Sequence, residues 1–473
     1  MTTTTFEDLI DAISNAGGVP ILVGGAVRDF VMYGVPKGAT HPDIFAAKDV
    51  DIEVFGLTLP RLQDALSSKS FSWDEVGEQF SVLKVNVLGL DGPVDLSIPR
   101  YETSTGNGHR EFEVMVNPEL TFKEAARRRD FTMNSLGFEV LTGELLDPYN
   151  GKQDIEHGFV VRVSNAFSED PLRPLRAARF AARFGYTIER DTLHLCKSMR
   201  PLADSLPSER IWMEIEKAVH ETKKLGKFFD WLYLMNWLDI FPEIYALDRI
   251  EQDKEWHPEG GVLVHTCEAL DYWSQNLRTG NKEDDLITAI AILCHDFGKV
   301  THTQYNQKPG HITAHGHEEA GAEPTRTFLH RLRQYELAKE VVPLVENHLA
   351  PVFGPHTPRA LRRLSVKVKR MDLLALVSKA DQAGRPPKDP TEAFNKIGEF
   401  YQAYANLELP RGGPKPLVGG DYLIRLGLTP GRKFKVILDA VYEKQLDGQV
   451  EDEDQAKEFV KAFAEVQGMR EYK

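Results

Sequence analysis

The chain has only three cysteines in 473 residues, Cys196, Cys267 and Cys294. None stands in C-x-x-C spacing, which excludes a zinc ribbon or a dithiol redox motif and fits a reduced compartment. Long apolar runs are missing as well. No stretch approaches the roughly 20 residues needed to cross a bilayer, and Met1 to Asp11 is acidic and threonine-rich rather than basic and then apolar. These absences predict a cytoplasmic protein with no membrane partner. Positive charge is outnumbered, with 57 Lys and Arg against 71 Asp and Glu: a net charge of -14 argues against general nucleic-acid binding, because phosphate contacts need Lys and Arg. The balance is uneven, however. Arg127-Arg128-Arg129, the arginines from Arg173 to Arg183 and the stretch Arg359 to Arg370 are local basic patches, and Glu451 to Asp454 is an acidic run. Such runs are either solvated helix faces or the lining of a local groove. There is no internal repeat, and the length and apolar content suffice for about three domains.

Against this background the N-terminal region carries a distinct pattern. Ile21-Leu22-Val23 reads as a buried strand and Ala26 to Tyr33 as the helix after it, with Gly24 and Gly25 between. Without Cβ atoms, that turn brings backbone N–H groups close to phosphate oxygens, backed by the positive end of the helix dipole. In the strand-like run Val50 to Phe55, alternation places Asp49 and Asp51 on one face. Two carboxylates on one face suit Mg²⁺, which shares its shell with substrate phosphates. Alone, a Gly-Gly turn is commonly just a turn and Asp-x-Asp a solvated strand face; their succession points to metal-assisted phosphoryl chemistry. Asp95, in Val94 to Ser97, is either a third carboxylate on a neighbouring strand or an edge-strand charge.

Residues 1 to 150 mix strand-like runs (Ile21 to Val23, Val50 to Phe55, Val82 to Val87, Val94 to Ile98, Leu136 to Val140) with helical segments, an α/β or α+β unit. Ser104 to Arg110 is a candidate mobile loop. After the turn-rich Asp147 to Gly151, almost everything reads as helix, with Pro386-Pro387 and Pro410 to Pro416 as breaks. Ser168-Glu169-Asp170-Pro171-Leu172-Arg173 reads as a helix start with Ser168 as N-cap, which puts Asp170 and Arg173 on one face. Glu169 and Arg173 suit a plain i, i+4 ion pair. The alternative is base reading: Asp170 accepts from the amino group of cytosine or adenine while Arg173 donates to the adjacent ring nitrogen. Uracil and guanine would set a carbonyl against the carboxylate.

Taken in order, GGAVRD, the DVD pair, RRRDFTMNS (Arg127 to Ser135), DPYNG, SEDPLRPLRAARFAARFG (Ser168 to Gly185) and SERIWMEIEK (Ser208 to Lys217) resemble the motifs of class II tRNA nucleotidyltransferases. These are the bacterial-type CCA-adding enzymes and their poly(A) polymerase relatives, within the DNA polymerase beta-type superfamily. The resemblance covers roughly residues 20 to 220. It implies template-independent transfer of CMP and AMP from CTP and ATP to the 3′ end of tRNA. Asp49 and Asp51, with Asp95 as candidate third member, would be the Mg²⁺-dependent catalytic carboxylates. Gly24, Gly25 and Arg28 would hold the triphosphate and primer end, joined by Arg128, Arg129, Asp130 and Thr132. Glu169, Asp170 and Arg173 would stand in for a template, with Arg176 and Arg179 against the nucleotide. Two departures stand out. Gly34 to Lys48 is longer than the family's short turn and reads as an insertion, and Pro174 replaces a common aliphatic residue, predicting distortion of the helix that carries Arg173.

Farther on, His265, His295-Asp296, His317, His348 and Asp381 sit mostly in helical contexts and resemble the HD phosphohydrolase superfamily. Imidazole mixed with carboxylate suits a transition metal such as Ni²⁺, Mn²⁺ or Co²⁺ better than Mg²⁺, and His317 and His348 are candidates for a second metal position. Gly419 to Gly448 resembles the helical tail of HD-containing nucleotidyltransferases. The expected fold is therefore multidomain α+β: an α/β nucleotidyltransferase head at 1–150, an all-α neck selecting the nucleotide at 151–245, an HD domain at 246–400 and a helical tail at 401–473. The expected partners are tRNA, ATP and CTP, for a monomer or dimer. The rivals are a poly(A) polymerase or partial-CCA enzyme, an HD phosphohydrolase whose head only binds RNA, and a non-catalytic tRNA-binding protein.

Overall fold

A computed structural model of the chain describes residues 4–34, 50–76, 82–90, 92–104, 112–305 and 311–466. Asp49, the insertion at 35–48 and loop residues 105–110 lie outside them. The chain forms two compact units, one of Met1–Glu214 with Trp231–Ile240, the other of Ile215–Asp230 with Phe241–Lys473.

In the first unit, β1 (Val19–Val23), β2 (Val50–Phe55), β3 (Trp73–Val76), β4 (Val82–Val85), β5 (Val94–Ser97), β8 (Gly137–Glu139) and β9 (Glu144–Leu146) form one sheet in the order β3-β4-β5-β2-β1-β8-β9. A separate hairpin pairs β6 (Arg100–Ser104) with β7 (Phe112–Val116). β2 matches the strand expected from sequence, and the other expected strands end within two residues of the observed bounds. The sheet is mixed: β2 runs antiparallel to β1 and parallel to β5. Asp95 is thus on an interior strand, not an edge.

The DPYNG segment ends the sheet and starts a helix at Gly151–His157. Asp147 accepts from the Gly151 and Lys152 amides, and Asn150 adopts the left-handed conformation (φ 62°), which asparagine tolerates better than most residues. A side chain at Gly151 would meet the Thr132 carbonyl oxygen at 2.2 Å, so this helix packs on the Thr132–Asn134 turn only through a bare Cα. The next long helix, Arg173–Phe184, begins four residues later than Ser168 would require as N-cap. Ser168 instead donates to the Asn165 carbonyl in a short 3-10 turn at Asn165–Glu169. Pro174 falls in the first turn of the helix, where its missing N–H has no intrahelical partner, so the expected distortion does not arise.

The second unit is almost wholly helical, with one short pairing of Gln304–Tyr305 against Ile312–Thr313. Helices Val262–Asn276, Lys282–Cys294, Tyr335–Glu346 and Met371–Ala383 pack into one core. Toward the C-terminus Gly420–Arg425, Arg432–Leu446 and Glu453–Val466 enclose a small core of Leu423, Ile437, Val441 and Val460. The basic stretch Arg359 to Arg370 is tied to carboxylates of the same unit: Arg359 and Arg363 pair with Asp447, and Arg370 with Asp284 and Asp372. Among the described residues no helix is long and apolar enough to cross a membrane.

Replacing Gly151 with Ala is expected to destabilise the first unit by about 1–3 kcal/mol, the cost of overpacking a filled site. Gly398→Ala, inside helix Thr391–Ala405 with open space around the new methyl, should instead stabilise by up to about 1 kcal/mol. Urea unfolding of the two variants, read against wild type, checks the opposite signs.

Candidate active sites

β1 delivers the chain to Gly24, whose φ of 79° and ψ of -142° belong to a region open essentially only to glycine. Helix Gly25–Tyr33 starts there, directing its free first-turn N–H groups past the end of the sheet. On β2, Asp51 lies opposite Val23 of β1 and opposite Asp95 of β5. A Cβ at Gly24 would stand 3.2 Å from Asp51 Oδ2, so the glycine turn and the carboxylate face each other closely. Asp95 receives Lys84 Nζ at 2.9 Å on both oxygens, across the β4–β5 pair. Two residues beyond Asp51 on the same face, Glu53 is 1% exposed and binds Arg129 Nη2 at 3.2 Å, with Arg128 Nη2 at 3.6 Å. Sequence reasoning missed Glu53, although it continues the alternation of Asp49 and Asp51.

The Arg-Arg-Asp element is wired to both flanking helices. Asp130 accepts from its neighbour's amide at 2.8 Å, from Asn134 Nδ2 at 3.0 Å and from Arg176 at 2.6 and 2.8 Å. Burial opposes its charge, but Arg176 and Asn134 more than offset this and hold the carboxyl below its ordinary range. Asn134 Oδ1 in turn accepts from Arg28 Nη1 at 2.9 Å. Arg28 is buried and lies against the faces of Phe180 and Phe184, 5.4 and 4.9 Å from the ring centres. Arg179, also buried, binds Glu214 at 2.6 Å, and Thr132 donates to Asp154 at 2.6 Å.

Asp170 and Arg173 do not share a helix face, because Asp170 precedes the helix with extended backbone (φ -115°, ψ 107°). It accepts from the Leu172 amide at 3.0 Å and from Arg210 Nη2 at 3.0 Å, while Arg173 donates to the Ala166 and Arg128 carbonyls at 2.7 Å each. Arg210, within the SERIWMEIEK segment, was not singled out from sequence, and nothing in its local pattern marks it.

In the second unit the six HD-type residues come together although more than a hundred positions separate His265 from Asp381. His265 is in the first turn of Val262–Asn276, His295 and Asp296 follow Lys282–Cys294, His317 opens His317–Ala320, His348 follows Tyr335–Glu346, and Asp381 is near the end of Met371–Ala383. All six are buried. His265 Nε2 lies 3.1 Å from Asp381 Oδ1 and 3.3 Å from His295 Nε2; His295 Nε2 lies 3.3 Å from Asp296 Oδ2, and His317 Nε2 lies 3.3 Å from Asp296 Oδ1.

The other ring nitrogens test whether this arrangement fits a metal. The Nδ1 atoms of His265, His295, His317 and His348 face the carbonyls of Gly384, Ile292, Ala314 and Val345 at 2.9, 2.6, 2.7 and 2.7 Å. A carbonyl oxygen only accepts, so each Nδ1 carries a proton, and each ring in its neutral form turns an Nε2 lone pair into the cluster. Lone pairs gathered in this way need a cation. Two groups, His265, His295, Asp296 and Asp296, His317, His348, each hold their ligand atoms within 4.8 Å, sharing Asp296. Burial, with His295 and His317 beside it, pushes His348 down to about 3, which keeps it neutral at pH 7. Burial alone would raise Asp296 and Asp381, but His295 and Lys299 beside the first and Arg385 beside the second hold both well below the carboxylate range. A cavity of about 290 Å³ opens onto Asp296, His317 and Asp381, with Lys299, Arg385 and Trp256 in its wall. Lys299 and Arg385, placed 2.8 Å from Asp296 and Asp381, escaped sequence reasoning despite i+3 and i+4 spacing from them.

Residues 21–161 match the model of the poly A polymerase head domain, and residues 262–380 that of the HD domain. A multifunctional CCA protein of Nitrosococcus oceani is 34% identical over 399 residues, covering 81% of this chain and 90% of the relative. One from Laribacter hongkongensis is 35% identical over 376 residues, covering 77% and 85%. Among solved structures, the Bacillus stearothermophilus CCA-adding enzyme in complex with CTP superposes with a TM-score of 0.63 at 21% identity, over 97% of each chain. The Thermotoga maritima CCA-adding enzyme complexed with tRNA gives 0.53 at 19% identity, over 96% of this chain and 93% of the other. The chain belongs to the family of the multifunctional CCA proteins, with a poly A polymerase head followed by an HD domain.

Proposed function

We propose that this enzyme adds CMP and AMP from CTP and ATP to the 3′ end of tRNA without a template, and that its HD centre hydrolyses phosphate esters. The observation that carries the first activity is the close approach of the Gly24 turn to the Asp51 carboxylate, which places a phosphate cradle and a metal-binding oxygen side by side. Family membership and the ligands of its structural neighbours, CTP, ATP and tRNA, support the same reading. The domains follow the division 1–150, 151–245, 246–400 and 401–473, and the enzyme works in the cytoplasm.

In this reading Asp51, with Asp49 and Asp95, holds Mg²⁺, which supplies Lewis-acid polarisation of the phosphates and of the attacking 3′-hydroxyl. The Gly24-Gly25 turn binds the triphosphate through backbone amides. Arg128 and Arg129, steadied by Glu53, offer cationic edges beside it. Arg28, Asp130, Thr132, Arg176 and Arg179 hold that platform rigid, and Glu169, Asp170 and Arg173 select the base. At the HD centre, His265, His295, Asp296 and Asp381 hold a transition metal (Ni²⁺, Mn²⁺ or Co²⁺), with His317 and His348 completing a second position. Lys299 and Arg385 neutralise phosphate charge in the cavity wall. The substrates are phosphate monoesters or 2′,3′-cyclic phosphates.

Incubation with a tRNA lacking CCA and each labelled triphosphate tests the first activity: incorporation of C and A alone, in the order CCA, is the expected result, and addition of A only identifies a poly(A) polymerase. Asp51→Ala should lower addition by at least about 100-fold with unchanged circular dichroism, since only metal coordination is lost. Near wild-type addition at saturating Mg²⁺ refutes the assignment. Asp170→Ala should admit UTP or GTP, or depress CTP and ATP use, more than it weakens tRNA binding. Kinetics unchanged from wild type with each of the four triphosphates would leave Asp170 a purely structural partner of Arg210. His295→Ala combined with Asp296→Ala should abolish Ni²⁺-, Mn²⁺- or Co²⁺-stimulated hydrolysis of 2′,3′-cyclic nucleotides while CCA addition in Mg²⁺ persists.

A further inference from the structure

His265 differs from the other three inward-facing histidines. Its Nδ1 meets the Gly384 carbonyl at 2.9 Å and also a carboxylate, Glu259 Oε1, at 2.8 Å. The Glu259 side chain is 1% exposed, and its second oxygen is buried without a hydrogen-bond partner. The same Oε1 lies 2.8 Å from His257 Nδ1, and the His257 and His265 rings meet edge to face with centres 4.9 Å apart. Nothing in the sequence reading or the family match assigns Glu259 a role.

We infer that Glu259 is a positioning residue of the HD centre: it shares the Nδ1 proton of His265, locks that ring with Nε2 toward Asp381 and His295, and makes Nε2 the most electron-rich of the four histidine donors. This rests on the reading above that His265 is a metal ligand. The physical basis is that a carboxylate accepting from one imidazole N–H raises the basicity of the other nitrogen, more than a neutral carbonyl does. His295 and His348 have only the carbonyl among the described contacts, and His317 Nδ1 adds to its carbonyl only the more exposed Glu318 carboxylate, at 3.5 Å against the 2.8 Å between Glu259 and His265. The two metal positions are therefore unequal, and the one holding His265 is the tighter.

His257, Glu259 and His265 also lie close enough to form a metal group of their own. Such a site would need a lone pair on His265 Nδ1, 2.9 Å from the lone pairs of the Gly384 oxygen. That repulsion disfavours the third site and favours a proton between the two atoms.

The test is Co²⁺ binding to chelator-stripped, full-length protein in excess Mg²⁺, followed by visible d–d absorption and equilibrium dialysis. Glu259→Gln should weaken the tightest Co²⁺ about 10- to 100-fold and alter its absorption, with the number of ions bound at saturation unchanged. His257→Gln, which leaves the carboxylate on His265, should keep both affinity and number. Glu259→Asp, which withdraws the charge by one methylene, should fall between wild type and Glu259→Gln and serves if the latter folds poorly. Wild-type affinity and spectrum in both Glu259 variants overturn the inference, as does loss of one bound ion in Glu259→Gln or His257→Gln, which makes the residue itself a ligand. A wild-type protein that takes up no Co²⁺ overturns the metal centre as a whole, and the positioning role with it.

Discussion

A buried carboxylate must find cations and N–H donors or remain unaffordably desolvated, and in the first unit that constraint acts through Asp130. Its oxygens collect a backbone amide, the Asn134 side chain and two bonds from Arg176. Removing one partner of such a buried pair costs roughly 3–5 kcal/mol. The consequence is mechanical: Arg176 belongs to the helix Arg173–Phe184, and Asn134 hands the connection on to Arg28 in the helix after the glycine turn. One negative charge thereby links the helix after the Gly24 turn, the Arg-Arg-Asp element and the helix Arg173–Phe184 in one hydrogen-bonded network. Phe180 and Phe184, stacked at 6.0 Å, fill the space under Arg28 and keep water from competing for it.

The second unit solves a related problem with histidines. Burying four imidazoles around two carboxylates would leave the tautomers undetermined if both nitrogens were free to donate. Backbone carbonyls remove the choice: three of them come from the residue three positions earlier, and the fourth, Gly384, from the end of another helix. Helix ends supply three of these oxygens, because their last carbonyls have no intrahelical donor, and Ala314 supplies the remaining one from the turn before His317–Ala320. Preorganisation of the lone pairs is thus largely a by-product of where helices stop.

Charge placement explains why the basic runs of this acidic chain do not translate into cationic surfaces. The arginines of the second unit's basic stretch are bound to Asp447, Asp284 and Asp372, and those of the first unit to Glu53, Asp130, Glu214 and Asp170. A run of basic residues in sequence is therefore no measure of free positive charge in the fold.

Much of this was legible in one dimension. The strand Val50–Phe55 and the Gly24-Gly25 turn with its helix follow from alternation and local steric rules, which operate over a few residues, whereas the succession of motifs and the six HD-type residues were legible only through their resemblance to known families. What local rules predicted less well was the start of the helix at Arg173: a serine, a carboxylate and a proline all suit an N-terminus, and only packing chose which was used. The partners of the charged groups were not legible at all. Glu53 meets Arg129 across 76 positions, Arg210 meets Asp170 across 40, and Glu259 reaches His265 from outside its helix. The sequence by itself determined which residue types stand on which faces of strands and helices, because those depend on backbone geometry. Tertiary structure alone decided which carboxylates are paired, which histidine nitrogens carry protons and which arginines are struts, because those depend on burial and on distances between segments far apart in the chain.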